Sequence, residues 1–185
     1  MGINLGLYAS YAAGAFLLAS GLLLKLPRPI LSVIDFFYIG FPPGILGILF
    51  LVVRVSIGIL FVLHGWPKIT HLQTWAKDMN MPIFLCFLSA LSMFAGGFFL
   101  IAGLLTPLVA LAILGSMLFA MILEMSKGSP FVAKDPFQIP SGQYEGPNGK
   151  GDPPSWEKAF LYVVILSAIA IIGPGAYSLD ALLLT

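Results

Sequence analysis

The residues best equipped for chemistry lie along one apolar run. Arg54, Gly58, Phe61, Gly65 and Lys68 recur at spacings of three and four, with His64 beside them, so a helix would place them on one face. Arg54 lies about ten residues into the run Gly44–Gly65 (GILGILFLVVRVSIGILFVLHG), a depth of roughly half a bilayer at about 1.5 Å rise per residue. Arginine does not shed its proton in proteins. A charge at the centre of a membrane helix costs about 2.5–3.5 kcal/mol on insertion scales. Arg54 therefore has to face protein, water or a bound anion. In one reading Gly58 and Gly65 make a tight helix contact and Arg54 bonds a carbonyl or carboxylate, with Asp180 the first candidate and Glu124 the second. In the other, Arg54, His64 and Lys68 form a basic stripe that binds an anion or a quinone head group, with Phe61 and Trp66 flanking the ring.

Other reactive residue types are sparse. The single cysteine, Cys86, excludes an internal disulfide and any CxxC motif. Near Lys68 and His64 its thiol would be activated, whereas in apolar surroundings it would be an inert small hydrophobe. Two histidines are too few for a metal site without added carboxylates. Met117, Met121 and Met125 form an i, i+4 stripe that reads as packing, so neither metal nor haem is expected. Ser89, Gly96 and Gly103, with Ser92 and Gly97 adjacent, form a small-residue seam suited to close helix packing.

The elements that must position these groups are membrane helices. The chain is 59% hydrophobic and 9% charged, with a mean hydropathy of +1.00, far from the roughly 25% charged residues of soluble domains. A net charge of +1 argues against nucleic acid as a partner. Five spans are expected: Leu5–Leu24, Gly44–Gly65 ended by Trp66-Pro67, Ile83–Leu104, Leu108–Glu124, and the shorter Lys158–Gly173. Residues 1–43 would form a retained N-terminal helix with an interfacial aromatic linker, and residues 44–185 the main bundle. Between the fourth and fifth spans, Ser126–Trp156 is polar and rich in Gly and Pro, an extramembrane loop. The alternation puts Trp66–Met81 and Met125–Glu157 on one face of the membrane, here side B. Side A then carries the N-terminal linker, the Thr106-Pro107 turn and the C-terminus. Side B is richer in lysine, but over longer loops, and orientation stays open.

Two segments together resemble the DoxX/DoxD membrane proteins. Arg54-Val-Ser-Ile-Gly58 through His64-Gly65-Trp66-Pro67-Lys68 is similar to that family's opening helix. Glu157 before the last helix, with Gly173-Pro174-Gly175-Ala176-Tyr177-Ser178-Leu179-Asp180, resembles its closing signature, and Ala95-Gly96-Gly97 through Thr106-Pro107 its middle hairpin. The resemblance implies an all-α bundle of four membrane helices, to which Leu5–Leu24 would add a fifth. It also implies a link to thiosulfate:quinone oxidoreductase, in which a DoxD subunit pairs with a small DoxA subunit, or to thiol redox balance. Family members often carry a glutamate just before the Gly-Gly pair, where this chain has Met93.

The function expected is a quinone-linked oxidoreductase subunit acting on thiosulfate or a small thiol. Quinone would be the cofactor; membrane lipid, a DoxA-like subunit, a larger membrane complex or a second copy would be the partners. The alternative is a non-catalytic subunit scaffolding a respiratory or photosynthetic complex, with a transporter or lipid-binding role third. The setting expected is a prokaryotic plasma membrane or a thylakoid membrane.

Overall fold

A computed structural model describes residues 41–133, 145–146, 149–150 and 154–184. The expected helix Leu5–Leu24 and most of the long polar loop lie outside the described residues. The rest is a helical bundle: α1 Gly44–Thr70, α2 Leu72–Asp78, α3 Ile83–Ala102, α4 Thr106–Ser126, α5 Glu157–Ile172 and α6 Leu179–Leu184. Inside the polar loop a short antiparallel pair joins β1 (Glu145–Gly146) to β2 (Gly149–Lys150). Helices α1, α3 and α4, at 27, 20 and 21 residues, are long and apolar enough to cross a membrane. At 16 residues α5 is shorter. The chain is a multi-pass membrane protein of all-α class.

Helix α1 runs past the expected stop at Gly65-Trp66-Pro67 and carries Pro67 inside it. A proline removes one ladder donor but can itself hold helical φ, and membrane helices tolerate it where nearby groups satisfy the freed backbone. Here the next turn is closed by the His71 amide on the Pro67 carbonyl, at 3.0 Å.

In lipid the hydrophobic effect gives little reason for apolar helices to associate, so close packing must hold the bundle. The glycine seam provides it. A Cβ added at Gly58 would stand 2.7 Å from the Gly97 carbonyl oxygen, and one at Gly97 would stand 2.7 Å from that of Gly58. The two backbones therefore touch where α1 crosses α3. Above the crossing, Gly65 lies against the Phe94 backbone. The buried core continues through Ile57, Phe61, Met93, Leu100, Ile113, Met117 and Leu166. Leu85, Leu88, Phe119 and the other exposed apolar side chains form the outer surface, where lipid tails would lie.

These contacts set the depth of the two cations. Gly58 opposite Gly97 and Gly65 opposite Phe94 offset α1 toward side A relative to α3. Arg54 consequently lies beside Gly103, in the α3–α4 turn, rather than halfway along the bundle as expected from α1 alone. The Lys68 ammonium reaches the Met93 sulfur, which is about midway along α3.

Candidate functional site

Arg54 is 2% exposed and is held by backbone. Its Nη1 donates to the Pro174 carbonyl at 2.6 Å and its Nη2 to the Tyr177 carbonyl at 2.7 Å. The segment Gly173–Ser178 leaves α5, folds back across the end of the bundle and presents these oxygens. The expected partner Asp180 stands beside it as a charge, while these two hydrogen bonds go to carbonyls. Asp180 interacts electrostatically with Arg54, but its carboxylate accepts from the Leu105 amide at 2.7 Å and the Thr106 amide at 2.9 Å. Those amides open α4, where the helix dipole favours an anion. Leu105 has φ 51°, an unusual state for a bulky residue, and the Asp180 bond holds it there. The Asp180 amide adds a bond to the Gly103 carbonyl at 2.8 Å.

Gly103 has to be glycine for two reasons. Its φ is +68°, and a Cβ there would come within 2.6 Å of Arg54 Cζ. Tyr177 closes the arrangement by packing its ring over Gly47. Ser178 N-caps α6, accepting from the Ala181 amide at 3.0 Å. The closing signature of the chain is thus a clasp that ties α1, the α3–α4 turn and the tail together. Arg54 Nε and Thr106 Oγ1 are buried polar atoms without a partner among the described residues.

The other end of the bundle is open. Here a cavity of about 520 Å³ is lined by residues of α1, α2, α3 and α4. Lys68, Trp75, Cys86, Ser89, Ser116 and Glu124 are among its lining residues. Leu85, Leu88 and Phe119 line it too and are exposed, so the cavity borders the apolar outer surface. An added Cβ at Gly115 would meet nothing within 4 Å, which keeps the α4 wall clear.

Lys68 enters the cavity with soft partners. Its Nζ lies 3.3 Å from Met93 Sδ and 4.9 Å from the centre of the Trp75 ring. Neither contact carries a formal charge, and among the described residues no carboxylate lies within salt-bridge distance of it. Residue 93 therefore faces Lys68. Glu124 bonds Ser129 Oγ at 2.9 Å and Lys127 Nζ at 3.1 Å. Cys86 is buried in the cavity wall.

The residues predicted from sequence are thus divided between places. Lys68 and Cys86 meet in the cavity. Arg54, Tyr177 and Asp180 meet in the clasp, with Arg54 fourteen residues, or about 21 Å of helix, from Lys68. Phe61 packs in the core against Tyr162, with ring centroids 5.0 Å apart, and Trp66 stacks on Phe94 at 5.5 Å. The His64 ring bonds the Leu60 carbonyl at 2.9 Å. None of these three lines the cavity. Glu157 opens α5, where its amide bonds the Phe131 carbonyl and closes the polar loop at its base.

A pair of hydroxyls escaped the sequence reading. Ser92 Oγ donates to the Ser89 carbonyl at 2.8 Å and lies 3.0 Å from Ser116 Oγ on the facing helix. The available signal was a serine on each of two apolar helices joined by a tight turn, a pattern that favours an interhelical hydrogen bond.

A family model described as DoxX matches residues 49–125. The chain is 32% identical over 140 residues to the inner membrane protein YqjF of Escherichia coli (strain K12), an alignment covering 72% of this chain and 90% of that protein. No solved structure matches the chain.

Proposed function

We propose, for a chain that belongs to the DoxX family of membrane proteins, that the side-B cavity is a quinone site and that the protein is a subunit of a quinone-linked oxidoreductase using a small sulfur or thiol donor. One observation carries this reading: the Lys68 ammonium lies midway along α3, lines an apolar cavity, and among the described residues is met there by a thioether and an indole face. Such a cation attracts a carbonyl oxygen or an anion more strongly than it would in water, because the surrounding dielectric is low. Apolar walls suit the ring and tail. Arg54 is removed from the binding role by its bonds to the tail and serves the fold.

The chemistry balances simply. Two thiosulfate or thiol sulfurs that join in an S–S bond release two electrons. A quinone accepts those two electrons with two protons and leaves as the hydroquinone. Thiosulfate is one member of the donor class, and Cys86 is the thiol that lines the cavity with Lys68.

The test is turnover in proteoliposomes, following reduction of a short-tailed quinone with thiosulfate, sulfite or a low-molecular-weight thiol as donor. Lys68→Met should lower quinone binding at least tenfold while the bundle stays folded. A protein that binds quinone without turnover, alone or with a small partner, would retain the site and lose the reaction. A protein that binds no quinone would be better described as a scaffolding subunit.

A further inference from the structure

On the reading that the cavity takes a quinone ring, we propose that Ser116 selects the reduced form of the ligand, with Ser92 fixing the direction of its proton. Hydrogen-bond polarity makes the distinction. A serine hydroxyl has a single proton to give and two lone pairs. Ser92 gives its proton to the Ser89 carbonyl, which can only accept. When both contacts are made at once, Ser92 has no second proton, and the 3.0 Å contact is made by the Ser116 proton. Ser116, which lines the cavity, then offers the ligand lone pairs and no donor.

Lys68 has the opposite character, since an ammonium donates and cannot accept. In that network the cavity carries a donor on the α1 wall and an acceptor on the α4 wall, and reversing Ser116 gives up the Ser92–Ser89 bond. A quinone has two carbonyl oxygens, both acceptors. It satisfies Lys68, but a carbonyl facing Ser116 sets acceptor against acceptor. The hydroquinone fits both: one hydroxyl oxygen accepts from Lys68 and the other hydroxyl donates to Ser116. In a cavity poor in water a mismatched pair has no solvent to turn to, so the difference is expressed in affinity. Tighter holding of the hydroquinone makes the bound quinone easier to reduce, because binding that favours the product shifts the equilibrium toward it. Ser116 is then a ligand-contacting specificity residue, and Ser92 a positioning residue acting through it.

The experiment is anaerobic calorimetric titration of the full chain in nanodiscs with a short-tailed benzoquinone, its hydroquinone, and the dimethyl ether of that hydroquinone. Thermal unfolding of each variant is recorded in parallel. The hydroquinone should bind about tenfold more tightly than the quinone, the value of roughly one hydrogen bond made rather than opposed. The dimethyl ether, which has lost the donors, should bind no better than the quinone. Ser116→Ala should weaken the hydroquinone to the level of the quinone and leave the quinone nearly unchanged. Ser92→Ala frees the Ser116 proton to point at a carbonyl, so the quinone should gain and the preference should shrink. A merely structural role for the pair would lower the unfolding temperature without changing the ratio. Equal affinities for the three ligands in the wild type, with Lys68→Met abolishing them all, would overturn the Ser116 assignment and leave the cavity as the quinone site. Binding of none of them would remove the cavity reading as well.

Discussion

The two ends of the bundle use their cations in opposite ways. At side A, Arg54 is enclosed, fixed by two backbone carbonyls and neighboured by a carboxylate that itself caps α4. At side B, Lys68 is half-buried, contacts a sulfur and an aromatic face, and opens on a cavity. Arginine suits the first place because its planar fork can meet two oxygens at once and stays charged. Lysine suits the second because one flexible stem carries a point charge to wherever a ligand sits. Satisfied polar groups rigidify a fold, whereas a charge left with soft partners is available for binding. The closing segment of the chain therefore ties the helices together at side A, and the cavity that we propose as the ligand site lies at side B.

Breaking the clasp should produce the largest effect on stability. Asp180→Leu strands the Leu105 and Thr106 amides and leaves Arg54 without its neighbouring charge, a loss of about 3–5 kcal/mol on the scale of a broken buried pair. Arg54→Leu leaves two carbonyls unbonded and should cost about 2–4 kcal/mol. Because both residues hold the same tail, the double variant should lose less than the sum. Reversible unfolding in mixed micelles measures the cycle, and strictly additive losses would show that Arg54 and Asp180 act independently.

The crossing between the ends should be next in sensitivity. Gly97→Val forces a side chain into the backbone of α1, and the helices have to separate, at a cost of about 1–3 kcal/mol. Thermal unfolding reads the loss. The same substitution at Gly115, where there is open space, should leave the melting temperature within a few degrees of wild type.

At side B the expected effects move from stability to binding. Met93→Glu would place a carboxylate against Lys68, neutralise the cation and weaken quinone binding about tenfold, the equivalent of about 1.4 kcal/mol. Met93→Leu preserves volume and should cost less than about 1.5 kcal/mol in stability. If Met93→Glu bound quinone as well as wild type, Lys68 would not be the group that recognises the ligand.

The smallest effect distinguishes a wall from a packing contact. Gly115→Ala adds one methyl group to the clear side of α4 and should stabilise the helix by up to about 1 kcal/mol through propensity alone. Gly115→Leu should fold normally and reduce quinone affinity by partly filling the cavity. Comparing the unfolding temperature with the binding constant for these two variants separates the roles, and parallel losses in both would indicate that α4 packs there.

Several features follow from the sequence alone because they depend on local physics. Apolar runs of about bilayer length dictate membrane helices. The spacing of Gly58, Phe61 and Gly65 puts them on one face, and the structure buries all three. An arginine that cannot lose its charge has to find acceptors, and it does. Which acceptors, and at what depth, depended on tertiary structure. Arg54 looked central because depth was counted along α1, but the Gly58–Gly97 crossing slides that helix against α3 and brings Arg54 to the turn. Its carbonyl partners lie 120 and 123 residues away in the chain, and a backbone oxygen has no residue-type signature that could announce it. The cavity is a still more collective result, lined by residues of α1, α2, α3 and α4 together. The contact between Ser92 and Ser116 needed the two facing helices in register. Periodicity fixes which way a side chain points along its own helix, but the offset between helices decides what it meets.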